Sequence, residues 1–167
     1  SGFYRFLDDV TEVAVDTPYG PTAAPVAIGT LGSRTVAFLP RHGAHHEYPP
    51  HRVPYRANVW ARHALGVTNV FGPCASGSLQ ADIVPGSFVV PDQIVDRTWG
   101  RDDSFFDGED GRPVHHVAFG DPYDDRLRAV AIEACRQEGV EVHVKGTVVT
   151  IQGPRFSTRA ESRWFSS

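Results

Sequence analysis

The chain has 167 residues, of which 41% are hydrophobic and 22% are charged, and its formal net charge is -4 at pH 7. This is enough chain for one globular domain with its own core. The slight negative charge provides no broad basic surface for nucleic acid or an anionic membrane, and no apolar run approaches the roughly 18 residues of a membrane-spanning helix. With only two cysteines, Cys74 and Cys135, we expect a reduced cytoplasmic protein rather than a disulfide framework or a structural zinc site.

Two strands joined by a tight turn are predicted first along the chain. Pro25–Leu31 and Arg34–Leu39 are short apolar segments, and Gly32-Ser33 between them is typical of a hairpin turn. The second strand delivers the residues that follow it to one end of a sheet.

The segment after this strand, Arg41-His42-Gly43, is the most informative part of the chain. Arginine offers a fixed fork of donors for phosphate or carboxylate, and histidine can donate a hydrogen bond or titrate near neutral pH. Glycine lets the backbone approach a ligand closely. Because ligands gather where strands end in α/β sheets, this segment predicts an anion site. A surface ion pair beside a solvated histidine loop is the alternative.

The later elements alternate between strand and helix. A proline-rich loop at Tyr48–Pro54 precedes a predicted helix from Tyr55 to Gly66, in which apolar residues recur at helical spacing. The remaining predicted elements are strands at Val67–Phe71, Phe88–Val95 and Val140–Ile151, a helix from Pro122 at its N1 position to Gly139, and a helix that begins at Ser157. This alternation predicts a single three-layer α/β domain over residues 1–167.

An acidic, glycine-containing loop from Asp102 to Arg112 carries two adjacent phenylalanines, Phe105 and Phe106. Aromatic residues in such a loop indicate that the loop packs against another surface. That surface could belong to the same domain, to a ligand or to another subunit.

Three further turns combine small and polar residues: Ser1-Gly2, the loop Cys74–Ser78 and the strand-to-helix turn Gln152–Ser157. Backbone N–H groups of the Cys74–Ser78 loop could cradle an anion. Each turn alone is weak evidence for a site, because most turns are built from such residues. The standard phosphate-binding and dinucleotide-binding glycine motifs are absent.

A metal site is not expected, although four histidines lie close together in the sequence: His42, His45, His46 and His51. They lie on a proline-rich loop without the spacing of the H-E-x-x-H motif, and no carboxylate pair completes a ligand set.

Several longer strings occur together in one order: VDTPYG, FLPRHGAHHEYPPHRVPYRAN, ASGSLQADIVPGSFVVPDQIVDRT, FFDG and GTVVTIQGPRFSTRAES. With this combination the chain resembles the purine nucleoside phosphorylase/methylthioadenosine phosphorylase family over essentially its whole length, and most closely its 5'-methylthioadenosine phosphorylase branch. The resemblance implies a three-layer αβα fold of the trimeric type, with a mixed, partly barrel-like sheet.

The activity that the resemblance implies is pentosyl transfer in purine and methionine salvage. Inorganic phosphate attacks C1' of the ribosyl ring of 5'-methylthioadenosine, and the products are adenine and 5-methylthioribose 1-phosphate. Phosphate is a co-substrate, and the resemblance implies no cofactor. By similarity the phosphate-binding residues are Ser1, Arg41, His42, Cys74 and Ala75.

By similarity, Phe156 lies against the nucleoside, with Gln152 and Ser157 at its purine end. His116 matches a histidine that reaches the 5'-substituent pocket of a neighbouring subunit, which implies a homotrimer. Two positions depart from the family pattern. Cys74 is a weaker donor than the usual residue beside phosphate, and Gln152 stands where relatives often carry glutamate.

The family pattern extends past both ends of this chain, so the resemblance implies that the chain is truncated at both ends. It places the aspartate that protonates the departing purine beyond Ser167. No catalytic residue is therefore assigned within the chain.

Two alternatives remain open. The first is a 6-oxopurine nucleoside or methylthioinosine phosphorylase on the same fold. The second, of a different class, is a nucleoside- or anion-binding fragment without catalysis.

Overall fold

A computed structural model describes residues 6–108, 111 and 113–167. The chain divides into two compact units. The first unit comprises residues 1–70 and 100–114, and the second comprises residues 71–99 and 115–167. The prediction of a single domain over residues 1–167 stays a prediction.

Among its described residues, the first unit contains a three-stranded antiparallel sheet, one α-helix and a short 3-10 helix at Pro50–Arg52. Its strands are β1 (Asp8–Val13), β2 (Val26–Leu31) and β3 (Arg34–Phe38), in the spatial order β1-β2-β3, and its α-helix is α1 (Tyr55–Ala64). In the β2–β3 hairpin, Leu31 pairs with Arg34 and Ala27 with Phe38. Gly32 in the turn has a φ of 58°, a left-handed conformation that glycine adopts without a Cβ clash. The predicted hairpin is confirmed.

The predicted helix after the proline-rich loop is also confirmed as α1. The helix ends at Ala64. Gly66 follows it with a φ of 73°, and the Gly66 N–H donates to the His63 carbonyl at 2.9 Å, a common arrangement after a helix C-terminus. The buried side chains of the first unit come from β2, α1 and the segments beside them: Leu7, Val26, Ala27, Val53, Ala57, Asn58 and Ala61.

The second unit contains two parallel strand pairs and two helices. In chain order its elements are β4 (Phe88–Val89), β5 (Gln93–Arg97), α2 (Asp125–Gln137), β6 (Val142–His143), β7 (Thr147–Ile151) and α3 (Arg159–Phe165). β4 pairs with β6, and β5 pairs with β7 from Gln93↔Thr147 to Arg97↔Ile151. Parallel strands need a crossover connection, and α2 lies within it. The side chain of Arg128 on α2 donates to the Pro91 carbonyl at 2.9 Å and to the Val144 carbonyl at 2.8 Å.

Three predicted elements have different bounds in the structure. The predicted strand Phe88–Val95 is divided into β4 and β5 around Pro91, because proline has no N–H to donate to a ladder. The predicted strand Val140–Ile151 is divided into β6 and β7. The helix predicted from Pro122 begins at Asp125, because the Asp124 side chain accepts the Leu127 N–H at 2.8 Å and caps it.

The predicted strand Val67–Phe71 is wrong. Residues 67–71 have no regular structure, and Val70 and Phe71 are each 58% exposed. An apolar run becomes a strand only when a neighbouring backbone pairs with it. None of the described helices is long and apolar enough to cross a membrane.

Candidate functional site

The end of β3 presents Arg41 and His42 on a tight turn. The Gly43 N–H donates to the Pro40 carbonyl at 2.9 Å, which closes the turn directly after the strand. Gly43 is buried and has a φ of 85°, a conformation that requires glycine at this point of the chain. The two predicted anion ligands are therefore adjacent on a structured turn rather than on an extended loop.

His42 has one ring nitrogen engaged by the backbone. Its Nδ1 lies 2.8 Å from the Tyr48 carbonyl oxygen, and the Tyr48 N–H donates to the His42 carbonyl at 3.0 Å. Because a carbonyl oxygen can only accept, Nδ1 carries the hydrogen. Nε2 bonds to none of the residues that the structure describes. This nitrogen can accept the proton of a protonated phosphate, or donate to phosphate when the ring is charged.

Arg41 is exposed, and its guanidinium makes no hydrogen bond or ion pair within residues 6–108, 111 and 113–167. An arginine already held by a carboxylate would be a structural ion pair. Arg41 keeps all five of its N–H donors available for an anion.

The loop that follows brings His46 and Glu47 beside His42. The rings of His42 and His46 stack with centroids 5.4 Å apart and an angle of 4° between their planes. The Glu47 carboxylate accepts the His45 N–H at 3.0 Å. Hydrogen bonds from the Glu47 and His45 N–H groups, with a smaller effect of the His45 and His46 imidazoles, lower the pKa of the Glu47 carboxyl below its usual value. Glu47 was not among the predicted site residues.

The predicted residues Cys74 and Ala75 lie in the second unit, in a segment without regular structure, and both are exposed. The Cys74 sulfur lies 3.7 Å from the Ser76 hydroxyl oxygen. Burial, with a smaller contribution from Cys74, raises the pKa of the Tyr123 hydroxyl.

Gln152 follows the carboxyl end of β7, and its side-chain oxygen accepts the backbone N–H of Trp99 at 3.0 Å. This bond joins the segments that follow the paired strands β5 and β7. Beside it is a cleft of about 380 Å³. Its lining residues are Arg97, Trp99, Ile151, Gln152, Gly153, Arg155, Glu161, Trp164 and Phe165. The Arg97 guanidinium lies 5.0 Å from the centroid of the Trp164 ring, a cation–π distance.

Phe156 and Ser157 do not line this cleft. The Phe156 side chain is 89% exposed, and the Ser157 hydroxyl oxygen lies 2.8 Å from that of Ser162. Of the four residues predicted to bind the nucleoside, Gln152, Phe156, Ser157 and His116, only Gln152 lines this cleft. Their assignment to the nucleoside stays a prediction.

The other predicted site residues are reported individually. His116 is exposed in the second unit, and Ser1 lies outside the described residues. Within the part of the chain that the structure describes, no group of three His, Cys, Asp or Glu side chains could hold a metal ion. A second cavity, of about 720 Å³, is lined by residues 14–17 and 20–25 of the first unit and contains none of the predicted ligands.

Comparison with known proteins gives one family. The family model described as "Phosphorylase superfamily" matches residues 2–167. The S-methyl-5'-thioadenosine phosphorylase of Mycolicibacterium smegmatis is 59% identical over the whole of this chain, which covers 61% of that protein. The purine nucleoside phosphorylase of Streptomyces coelicolor is 53% identical over 98% of this chain and 60% of its own length. The chain thus spans about three fifths of the curated relatives it matches.

Solved structures agree with this family. A methylthioadenosine phosphorylase from Schistosoma mansoni in complex with adenine superposes with a TM-score of 0.92 at 38% identity, over 98% of this chain and 66% of that one. A variant of the same organism's adenosine/methylthioadenosine phosphorylase, in complex with methylthioadenosine, gives a TM-score of 0.91 at 38% identity, over 96% and 63% of the two chains. The predicted phosphorylase-like α/β fold is confirmed.

Proposed function

Because the chain belongs to the phosphorylase superfamily, we propose that the protein catalyses the phosphorolysis of 5'-methylthioadenosine. A phosphate oxygen forms a bond to C1' of the ribosyl ring while the bond from C1' to the purine nitrogen breaks. The bonding electrons leave with adenine, which takes up a proton, and 5-methylthioribose 1-phosphate is the other product. Relatives named as S-methyl-5'-thioadenosine phosphorylases support this choice of substrate.

One observation carries the proposal: at the end of β3, an arginine without a partner among the described residues stands next to a histidine with one free ring nitrogen. The Arg41 fork orients phosphate and offsets its charge, and it stays charged at every working pH. His42 contacts the same anion through Nε2, because Nδ1 is held by the Tyr48 carbonyl. Residues on a structured turn can hold phosphate close to C1' in a reactive orientation, and this lowers the entropic cost of the attack.

By similarity to the family, residues of the second unit also have roles in the proposed reaction. Cys74 and Ala75 belong beside phosphate and ribose, and the exposed ring of Phe156 provides an apolar face for the nucleoside. Gln152 and Ser157 belong at the purine end. Ser1 is a further proposed phosphate ligand. Phosphate serves as co-substrate, and the reaction needs no cofactor.

Assembly and location belong to the proposal as well. The exposed His116 side chain is available to a neighbouring subunit, in keeping with a homotrimer in which His116 contacts the partner's 5'-substituent pocket. Both cysteines are free thiols, in keeping with a cytoplasmic enzyme.

The test is a coupled phosphorolysis assay with matched arginine variants. We expect phosphate-dependent release of adenine, and Arg41→Ala should raise the KM for phosphate about 10- to 100-fold, because a hydrogen bond to a charged group contributes about 1.5–3 kcal/mol. Arg34→Ala is the control, since Arg34 is exposed at the opposite end of β3. The KM for the nucleoside should change little in either variant.

Release of adenine without phosphate, or equal effects of the two variants, would refute the proposal. A 6-oxopurine activity is the second candidate, because the Streptomyces coelicolor relative is named a purine nucleoside phosphorylase. Rates with inosine and methylthioinosine in the same assay distinguish the two. Phosphate binding by calorimetry without turnover of any nucleoside would indicate the binding fragment.

A further inference from the structure

The loop from His42 to Tyr48 is closed at its base by two hydrogen bonds. The Tyr48 N–H donates to the His42 carbonyl at 3.0 Å, and the His42 Nδ1–H donates to the Tyr48 carbonyl at 2.8 Å. The second bond selects the tautomer of His42 and leaves Nε2 for a ligand. The position of the Tyr48 carbonyl therefore decides how the imidazole is presented.

The tip of the same loop has a backbone that needs external support. His46 has a φ of 61°, a left-handed conformation that is unfavourable for a residue with a Cβ. This conformation places the His46 ring parallel to His42, at 5.4 Å between centroids. Strain of this kind persists only when neighbouring contacts hold the backbone in place.

The Glu47 side chain provides that support. Its carboxylate folds back onto the loop and accepts the His45 N–H at 3.0 Å, and a bond from its own N–H helps to lower the pKa of its carboxyl. Gly43 leaves the space that the carboxylate occupies, since a Cβ on Gly43 would overlap the Glu47 side chain. Glu47 thus holds the tip of the loop through the His45 N–H and fills the space beside Gly43, close to the residue proposed to bind phosphate.

We propose that Glu47 is a positioning residue for the phosphate site: its carboxylate holds the His42–Tyr48 loop so that the Tyr48 carbonyl fixes the His42 tautomer. This inference rests on the proposed function for its kinetic consequence, while its structural part can be tested without any activity. Glu47 touches neither phosphate nor nucleoside in this role. It acts through the backbone of the loop.

Because Glu47 is negatively charged, the direction of the change in the KM for phosphate distinguishes an electrostatic role from a positioning role. A carboxylate next to an anion site repels phosphate, so a purely electrostatic role predicts that both Glu47→Ala and Glu47→Gln lower the KM for phosphate. A positioning role predicts the opposite for Glu47→Ala, which removes the acceptor. Glu47→Gln keeps an oxygen acceptor for the His45 N–H and should restore most of the function.

The kinetic experiment compares Glu47→Ala, Glu47→Gln and the control Glu12→Ala, whose residue is exposed on β1 in the same unit. We expect Glu47→Ala to raise the KM for phosphate roughly tenfold, because small misplacements of a binding group cost large factors, with the KM for 5'-methylthioadenosine unchanged. Glu47→Gln should stay within about twofold of the parent, as should Glu12→Ala. A lower KM for phosphate in Glu47→Ala, or no rescue by Glu47→Gln, would overturn the proposal.

The structural experiment uses nitrogen-15 NMR of the histidine side chains, with the His42 signals assigned from their loss in His42→Gln. We expect the Nδ1–H tautomer of neutral His42 in the parent protein and in Glu47→Gln, and a mixture of tautomers in Glu47→Ala. An unchanged tautomer in Glu47→Ala would contradict the inference. If the parent shows no phosphorolysis but the tautomer responds as expected, the proposed function fails and the positioning role of Glu47 stands.

Discussion

Arg155 and Glu161 form a bidentate ion pair across the start of α3. Arg155 Nη1 lies 2.8 Å from Glu161 Oε2, and Nη2 lies 2.8 Å from Oε1. The same carboxylate accepts the Thr158 N–H at 2.6 Å, and the Thr158 hydroxyl accepts the Glu161 N–H at 3.1 Å, which completes a capping box. The turn that carries the proposed nucleoside residues is thereby joined to the first turn of the helix.

This pair predicts a dependence of stability on acid. Hydrogen bonds from Arg155 and from the Thr158 N–H lower the pKa of Glu161 from 4.5 to about 2. Since the pKa is lower in the folded state, the pair contributes its full stabilisation above pH 4.5 and loses it as the pH falls toward 2. The effect should be small, because the side chains are exposed to solvent.

The measurement is the thermal midpoint as a function of pH for the parent and for Glu161→Gln. We expect the variant to be slightly less stable near neutral pH and the two curves to converge toward pH 2. Glu138→Gln, at an exposed glutamate at the end of α2, should follow the parent throughout. A constant difference between Glu161→Gln and the parent at every pH would exclude the ion pair as its cause.

Arg56 on α1 predicts how the acidic loop is held. Its guanidinium contacts Asp102 at 3.2 Å, forms an ion pair with Asp107 and lies 4.9 Å from the centroid of the Tyr19 ring. Tyr19 in turn packs against Phe105, with centroids 5.3 Å apart. Residues 102–107 of the loop therefore pack onto the first unit, so the surface against which Phe105 lies belongs to the same chain.

Removing Arg56 should release this loop. Because the side chain is only 18% exposed, we expect Arg56→Ala to lower the free energy of unfolding by about 1–3 kcal/mol. Hydrogen exchange should quicken in residues 102–107. Arg56→Lys keeps the charge but loses the planar guanidinium. Its free energy of unfolding and its exchange rates should lie between those of the parent and of Arg56→Ala. Arg52→Ala, at an exposed site, should leave both quantities unchanged, and unaltered exchange in Arg56→Ala would contradict this account.

Local signals in the sequence account for the elements that were predicted well. Gly32-Ser33 marks a turn that the backbone requires. The prolines before Tyr55 delay the α-helix until that residue, although Pro50–Arg52 form one short 3-10 helix. The predicted start of α3 at Ser157 differs by only two residues from its observed start at Arg159. The capping-box residues Thr158 and Glu161 are a signal that the sequence itself contains.

Elements that depend on a distant partner were the ones predicted poorly. β1 (Asp8–Val13) was not predicted, because its largely polar sequence becomes a strand only through pairing with β2. The apolar run 67–71 shows the converse, since no strand pairs with it among the described residues. The β-propensity of a segment does not show whether another strand lies beside it to pair with its backbone.

The candidate site shows the same division. Arg41 and His42 could be predicted, because their side-chain chemistry is visible in the sequence at the end of an apolar strand. The Tyr48 carbonyl that selects the His42 tautomer could not, since any residue offers the same backbone group. Glu47 was also missed, because a carboxylate beside an anion site suggests repulsion until its hydrogen bonds to the loop are seen.

Gly43 provides a last prediction, with Gly20 as its matched control. Both glycines have a φ of 85°, but nothing lies within 4 Å of a Cβ built on Gly20, whereas a Cβ on Gly43 would overlap the Glu47 carboxylate and lie 3.3 Å from the Tyr48 ring. Alanine at either position should lower the free energy of unfolding by about 1–2 kcal/mol, because its Cβ disfavours the left-handed conformation. Only Gly43→Ala must also displace Glu47.

We therefore expect Gly43→Ala to lose about 0.5–1.5 kcal/mol more free energy of unfolding than Gly20→Ala, because displacing the end of the exposed Glu47 side chain breaks its hydrogen bond to the His45 N–H. In the phosphorolysis assay, Gly43→Ala should raise the KM for phosphate, while Gly20→Ala should leave it unchanged. Urea denaturation and initial rates on the same preparations provide both comparisons. Equal losses of stability in the two variants would mean that the Glu47 side chain moves aside at no cost, and that the space beside Gly43 does not constrain the loop.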